Sequence, residues 1–188
     1  MAMTPDQWAA EVRRRIGINE GCRLTMYLDT MGIPTIAYGF NLQDGNPQAI
    51  LKKAGVTDIA GVIAGRVALT QAQADSTFAQ MLPGYIASAT TTLHAGVFRK
   101  LSDARRFVIV DMVYNLGVAG FLGFPSARRA INNAVAATDP ASARAFYGQA
   151  ADQMVNSAWY TQVGNRAKRN VAMMRTSNWV DANGDGTH

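Results

Sequence analysis

Apolar residues recur at helical spacing over most of the chain, with one short stretch of a different kind. The first stripe has a spacing of four residues: Trp8, Val12 and Ile16. It predicts a helix over residues 5–16, capped by Thr4, with Pro5 in its first turn. Gly17 follows at once and is expected to weaken or end this helix, because glycine is common just past a helix C-terminus.

Residues 23–40 differ, because β-branched and aromatic residues dominate them and the helical spacing is lost. The turn signal Asp29-Thr30-Met31-Gly32 divides the stretch in two. We therefore predict a β-hairpin followed by a third short strand. Pro34 is expected at a sheet edge or at the start of a strand, because proline cannot donate to a sheet ladder.

Residues 41–69 are rich in glycine, asparagine and small apolar residues, so we expect loops with short helical pieces such as 47–54. From Thr70 the spacing becomes helical again and predicts a helix to about residue 92. Thr70 and Gln73 have the spacing of a capping box. Pro83-Gly84 is expected to kink this helix or to split it in two.

The rest of the chain predicts five helices: 103–116, 125–135, 140–155, 157–162 and 165–175. The first begins near Ser102 and stops at Gly117, and Asp139-Pro140 is a start signal for the third. The fold class is therefore α+β and mostly α, with a small N-terminal lobe that contains the hairpin, a connecting helix and a larger helical lobe. Within one domain over 1–188, the expected parts are a small mixed lobe (about 17–69), the connecting helix (70–92), a helical lobe on which the N-terminal helix packs (93–179) and a flexible tail (180–188).

The charge balance adds a constraint on partners. The 188 residues carry a formal net charge of +5, with a pI of about 9.7, which favours a negatively charged partner. No helix-turn-helix or base-stacking pattern accompanies the charge, so nucleic acid is not expected. Trp8 and the run Arg13-Arg14-Arg15 could touch an anionic membrane, but packing of Trp8 in the core is the stronger interpretation. At most a weak membrane contact is expected.

Metal, disulfide and membrane features are sparse. Cys22 is the only cysteine, which excludes an internal disulfide, and two histidines are too few to complete a closed zinc site. Residues Asp181 to Asp185 resemble the opening of a calcium loop, but without its bidentate glutamate a flexible polar tail is favoured. No apolar run is long enough to span a bilayer, and no secretory signal is recognisable, so neither is expected.

Two carboxylates and a hydroxyl are spaced for glycoside chemistry. Glu20 follows the first helix, Asp29 opens the hairpin turn, and Thr35 lies on the returning strand. Hydrolysis of a glycosidic bond needs one carboxyl to protonate the leaving oxygen and one carboxylate to activate water or shield positive charge. By itself this spacing is weak support, because a capping glutamate and a turn aspartate explain both residues equally well.

The surrounding sequence is more specific. The stretch Asn19 to Leu24 and the segment Tyr27-Leu28-Asp29-Thr30-Met31-Gly32-Ile33-Pro34-Thr35-Ile36-Ala37-Tyr38-Gly39 strongly resemble the phage-type lysozymes, glycoside hydrolase family 24. Two later segments match in order: Arg105-Arg106 with Met112 to Gly117, and Trp159-Tyr160 with Asn165 to Arg169, Arg175-Thr176 and Trp179. The resemblance implies a lysozyme-like fold and an endo-acting muramidase of bacterial peptidoglycan.

The resemblance also implies residue roles. Glu20 would be the general acid, Asp29 the carboxylate across the scissile bond, and Thr35 the holder of the attacking water. Arg166 would pair with the acid. Three further positions match residues that line the cleft: Asn41, Tyr114 and Asn115. The family implies inversion at the anomeric carbon and needs no metal or organic cofactor, and we expect a monomer.

Some positions depart from the family pattern, and some functions stay open. Phe40 and Met81 stand at positions where a known family member has an ion pair, so an apolar contact is expected there. Asn115 stands where that family member has glutamine.

The resemblance also implies where the protein acts. It implies an endolysin that stays in the host cytoplasm until a holin-type lesion gives it access to the periplasm and cell wall. The alternatives are a wall-binding protein of the same fold with little turnover, and a cysteine peptidase using Cys22 and His94.

Overall fold

The structure of the protein, a computed structural model, describes residues 3–43 and 45–181. Within that part of the chain it contains three strands and ten helices. In chain order the elements are α1 (Pro5–Glu20), β1 (Arg23–Leu28), β2 (Pro34–Ala37), β3 (Phe40–Asn41), α2 (Pro47–Lys53), α3 (Ile59–Ile63), α4 (Gln71–Thr91), α5 (Val97–Lys100), α6 (Asp103–Leu122), α7 (Pro125–Ala136), α8 (Pro140–Val155), α9 (Ala158–Val163) and α10 (Asn165–Thr176). The predicted α+β, mostly helical class is confirmed. Of the calcium-like tail, only Asp181 lies within the described residues.

The chain forms two compact units. The sheet unit comprises Ala9–Gly84 and contains all three strands. Of the described residues, the helical unit comprises 3–8 and 85–181. Helices α1 and α4 each contribute residues to both units, because the boundaries fall inside them.

The sheet unit is built on an antiparallel sheet with the order β1-β2-β3. Tyr27 lies opposite Thr35, which in turn lies opposite Asn41 on the other side. Pro34 begins β2, as expected for a residue without an N–H donor. The buried core of this unit includes these residues: Ile36, Phe40, Leu42, Leu51, Val62 and Phe78. Met81 packs against the same cluster as Phe40, so the expected replacement of an ion pair by apolar packing is consistent with the structure.

Helix α1 is longer than predicted, because Gly17 does not end it. A Cβ on Gly17 would lie 3.1 Å from Cε1 of Tyr38, so this glycine is needed for the close approach of an aromatic ring. The helix ends at Gly21 instead, which has a φ of +69° and donates its N–H to the carbonyl of Gly17 at 3.0 Å. Glu20 is therefore the last helical residue and not a loop residue.

The predicted helix caps are confirmed. Thr4 and Gln7 form a reciprocal capping box at the start of α1, and Thr70 and Gln73 do the same before α4. The Asp139 side chain accepts from the N–H of Ser142 at the start of α8. These bonds satisfy donors that the first turn of a helix leaves without an intrahelical partner.

Two residues that disfavour helix, Pro83 in α4 and Gly117 in α6, have different effects on their helices. Pro83 lies inside α4, and the helix continues to Thr91, so the expectation that it is split in two is wrong. One missing N–H removes one rung of the ladder, while buried Phe78, Leu82 and Ala89 hold the helix on both sides. Gly117 does interrupt α6, with a φ of 71° and a ψ of 168°, and a short helical segment follows it to Leu122.

The core of the helical unit forms around α6, whose residues Phe107–Val113 are all buried. Trp8 is buried in this unit, where its Nε1 donates to the carbonyl of Asp103 at 2.9 Å. Its ring meets Phe98 edge to face, and the Arg106 guanidinium lies 4.6 Å from its centre. The packing interpretation of Trp8 is therefore confirmed.

Among the described helices, no single one is both long and apolar enough to cross a bilayer. Helices α6 and α7 meet those criteria of length and composition only as a pair, and the pair is bent by 104°.

The ion pairs of Glu11 on α1 make the stability of the fold depend on pH. Glu11 accepts hydrogen bonds from Nε and Nη2 of Arg14 at 2.8 and 2.7 Å, and from Nε of Arg15 at 2.5 Å. Chiefly through the bonds from Arg14, and against the opposing effect of burial, the pKa of Glu11 falls from 4.5 to about 2.

Because the folded-state pKa of Glu11 is below its unfolded value, the carboxylate stabilises the fold fully only above pH 4.5. That contribution is lost as the pH falls from there towards about 2. The substitution Glu11→Gln is expected to cost about 1 kcal/mol at neutral pH and to make the decline of Tm at acid pH shallower. Thermal unfolding from pH 7 to pH 2.5 measures both effects, and parallel curves for the two proteins would contradict the assignment.

Candidate active site

Four of the residues predicted from the sequence lie around the hairpin of the sheet unit. Glu20 is exposed at the end of α1, and Gly21 then turns the chain into β1. Asp29 follows directly after β1, Thr35 is the second residue of β2, and Asn41 ends β3. The geometry of each explains what its side chain can do.

The Asp29 carboxylate is fixed by the turn that it opens. Its Oδ1 accepts from the N–H groups of Met31 at 2.8 Å and Ile33 at 2.9 Å, and its own N–H donates to the carbonyl of Ile33 at 3.0 Å. Hydrogen bonds from N–H groups to an ionised carboxylate are stronger than bonds between neutral groups. Among the residues that the structure describes, Oδ2 accepts no hydrogen bond, so one oxygen holds the turn and the other can face a ligand.

The hydroxyl group of Thr35 already donates its proton in a hydrogen bond within the turn. Its Oγ1 donates to the carbonyl of Ile33 at 2.9 Å, within the same turn that holds Asp29, and the residue is buried. The hydroxyl oxygen keeps its lone pairs as acceptors, which suits it to hold a water molecule. On the neighbouring strand, Asn41 uses its Oδ1 to accept from the N–H of Gln43 at 2.7 Å, so this half-buried side chain also stabilises its own turn.

Tyr27 links the two candidate carboxylates electrostatically. Burial is the largest cause that raises the pKa of this phenol, and the negative charges of Glu20 and Asp29 raise it further. Arg23 opposes the increase, with its guanidinium 4.5 Å from the centre of the Tyr27 ring. Both carboxylates therefore lie close enough to one side chain to perturb its ionisation, although they are nine residues apart in sequence.

Tyr27 was not predicted as a site residue, although it belongs to the quoted segment that precedes Asp29. The sequence signal that could have identified Tyr27 was its spacing of two residues from Asp29 along the strand. A side chain two residues before the turn points to the same face of the strand as the turn carboxylate. Its position opposite Thr35 places it beside the third member of the predicted set.

In the helical unit, Arg166 is held by a buried acid that the sequence analysis missed. Its Nε and Nη2 donate to the two carboxylate oxygens of Asp111 at 2.9 and 3.0 Å. Nδ2 of Asn170 donates to the same carboxylate at 2.7 Å. Asp111 is 0% exposed and Arg166 is 8% exposed. The available signal was an aspartate in the middle of an apolar helix, since such a residue needs a cationic partner.

The other two predicted residues of this unit pack against aromatic rings. Oδ1 of Asn115 accepts from Nε1 of the buried Trp159 at 2.9 Å, and the ring of Tyr114 lies 4.5 Å from that of Tyr85. Asn115 therefore orients an indole, which is a structural task that its sequence motif did not reveal. Because its side chain is exposed, its amide N–H₂ group can still meet a ligand.

The alternative based on Cys22 finds little support in its surroundings. Burial is the main cause that raises the pKa of the thiol, and hydrogen bonds from Gln71 and Tyr38 only partly oppose it. A raised pKa lowers the fraction of the thiol that is present as the nucleophilic thiolate.

Metal ligands were also predicted to be sparse. No group of three or more His, Cys, Asp or Glu residues that could hold a metal ion is found among the described residues.

Comparisons with known proteins agree with the motifs. Residues 18–175 match the family described as phage lysozyme. A probable T4-type lysozyme of Dictyostelium discoideum is 22% identical over 180 residues, which cover 89% of this chain and 95% of that protein. Since the family match spans most of the chain, this protein belongs to the phage lysozyme family.

Proposed function

We propose that this protein is a glycosidase that hydrolyses the β-1,4 bond between N-acetylmuramic acid and N-acetylglucosamine in bacterial peptidoglycan. The observation that carries the proposal is the pair of carboxylates in the sheet unit: Glu20 ends the helix that leads into the hairpin, and Asp29 is fixed by two N–H groups of the hairpin turn. Family membership gives this pair its chemical meaning, because glycoside hydrolysis uses two carboxyl groups.

In this proposal Glu20 is the general acid, and it donates its proton to the oxygen of the departing sugar as the glycosidic bond breaks. Asp29 accepts a proton from the attacking water while the water oxygen bonds to the anomeric carbon, so the reaction consumes one water and restores both groups after proton exchange with solvent. Thr35 accepts a hydrogen bond from that water. The turn hydrogen bonds on Asp29 support its role, because they fix the direction of the carboxylate before substrate arrives.

Arg166 is the proposed partner of the general acid, as the family resemblance implies. Its bidentate bond to Asp111 supports this role, because a guanidinium clamped on one side presents its remaining N–H groups in a fixed direction. Asn41, Tyr114 and Asn115 are the proposed sugar contacts. Tyr114 offers an aromatic face, and the two asparagines offer amide groups of the kind that sugar hydroxyl and N-acetyl groups bind.

We further propose an endo-acting endolysin that works as a monomer, inverts the anomeric carbon and needs no cofactor. It would be kept in the host cytoplasm until a holin-type lesion exposes the wall, and lysis would follow from loss of wall strength. The basic charge of the chain supports attraction to an acidic wall polymer.

Product chemistry tests the proposed bond and its stereochemistry. Digestion of purified Gram-negative sacculi, followed by borohydride reduction and mass spectrometry, should yield muropeptides that end in reduced N-acetylmuramic acid. Proton NMR of early products from a soluble glycan should show the α-anomer first, as inversion of a β-linkage requires. Reduced N-acetylglucosamine ends would contradict the bond assignment, and binding to sacculi without any new ends would favour a wall-binding protein.

A further inference from the structure

The helical unit contains a concave feature whose lining includes none of the residues proposed for catalysis. It is a pocket of about 560 Å³ between the start of α8 and the end of α10. Seven residues line it: Arg105, Pro140, Ala143, Arg144, Tyr147, Arg175 and Thr176. Three of the seven are arginines and none is acidic, so we call this feature the arginine pocket.

Arg105 forms the base of the arginine pocket. Its Nε donates to the carbonyl of Met174 at 2.8 Å and its Nη2 to the carbonyl of Arg175 at 3.2 Å. The central carbon of its guanidinium lies over the ring of Tyr147, 3.5 Å from the ring centre. No carboxylate contacts it among the described residues. Burial accordingly lowers the pKa of Arg105, which is the direction expected for a cation without a nearby anion.

The other two arginines differ in their pairing. Arg175 forms an ion pair with Asp152 at 2.7 Å, and both side chains are about half exposed. Arg144 is exposed and makes no hydrogen bond or ion pair within the described part of the chain. The nearest acid in sequence is Asp139, whose carboxylate is occupied by the first turn of α8. The arginine pocket therefore holds three arginines, of which only Arg175 forms an ion pair within the described part of the chain.

We propose that the arginine pocket is an accessory binding site for carboxylate groups of the peptidoglycan stem peptides. Planar guanidinium groups match carboxylates in shape and can bind them through two parallel hydrogen bonds. The identity of the ligand rests on the proposed function, which makes the wall the substrate. Such a site would hold the enzyme on the wall between successive cuts, and this would slow its release without changing the chemistry of cleavage.

The composition of the pocket favours a discrete anion over a lipid surface. Its only aliphatic lining residues are Pro140 and Ala143, and Tyr147 is buried beneath Arg105. A membrane-binding surface usually adds protruding large apolar side chains that enter the acyl region. A concave, mainly cationic pocket instead suits a single charged group that enters from solvent.

Binding to insoluble sacculi tests the proposal through Arg144→Glu, made in a Glu20→Gln background to limit digestion. The matched control is Arg129→Glu. Arg144 and Arg129 are both exposed, and each is the fifth residue of a helix that begins with proline, so the two variants change the net charge and the helix equally. Sedimentation on ice should show at least about threefold weaker binding for Arg144→Glu than for Arg129→Glu.

Chemical controls identify the group that is bound. Sacculi whose carboxyl groups have been amidated with a carbodiimide should bind both variants equally, because the proposed ligand has been removed. Equal binding of the two variants to untreated sacculi would overturn the proposal. So would a loss confined to phosphatidylglycerol vesicles, which would assign the pocket to a membrane. Reducing-end release by the parent protein is measured separately, so failure of the proposed glycosidase function is distinguishable from failure of this site.

Discussion

Glu20→Gln is expected to lower the release of reducing ends from peptidoglycan by at least about 10³-fold while leaving the protein folded. The amide keeps the size of the side chain but cannot donate the proton that the leaving oxygen requires. Glu20 is exposed at the end of α1, so its substitution should change the free energy of unfolding by no more than about 0.5 kcal/mol. Initial rates and urea unfolding of the same preparations measure both effects.

The chain provides its own control for this experiment. It contains only two glutamates, Glu11 and Glu20, and both lie on α1. Glu11 is tied to Arg14 and Arg15, so Glu11→Gln should lose stability and keep its activity below the unfolding transition. The two substitutions are chemically identical, and their effects on activity and stability should be opposite. If Glu20→Gln retained most of the parent's rate, the acid would have to be another residue.

Much of the site's local geometry could be predicted because it is encoded by neighbours in sequence. Asp29 accepts hydrogen bonds from residues two and four positions ahead, and the antiparallel register then sets Thr35 against Tyr27. Turn chemistry and strand pairing both act over short distances, so residue types and spacing were enough. The helix caps were predictable for the same reason, since each involves residues three positions apart.

The end of α1 was mispredicted because two glycines give the same local signal. Gly17 and Gly21 are four residues apart, and either could follow a helix. Only the packed fold distinguishes them, since Tyr38 occupies the space beside Gly17 while Gly21 adopts a positive φ. For the site, the consequence is that Glu20 lies on the last turn of a helix instead of in a loop.

The support for Arg166 was missed for a different reason. Asp111, Arg166 and Asn170 come from helices far apart in sequence, and no spacing rule connects α6 with α10. The sequence showed an acid within the apolar run of α6, which demands a partner, but it did not identify that partner. Long-range polar pairing of this kind depends on how the helices pack.

Asp111→Ala is expected to destabilise the protein by about 3–5 kcal/mol, because it removes the buried carboxylate that accepts two hydrogen bonds from the Arg166 guanidinium. Asp111→Asn should cost less, since its amide oxygen still accepts from Arg166, although the amide N–H₂ replaces the second accepting oxygen. Urea unfolding measures both values.

The double variant Asp111→Ala with Arg166→Met separates the loss of pairing from the loss of packing. Removing both charges should restore part of the stability lost in Asp111→Ala, because the buried guanidinium that has lost the Asp111 carboxylate is removed as well. Activity should follow a different order. If Asp111 orients Arg166 for catalysis, Asp111→Asn should be slower than the parent at temperatures where both are folded, and the double variant should be slower still despite its regained stability. Activity that simply tracks stability across the three variants would make the pair structural alone and would remove the support proposed here for Glu20.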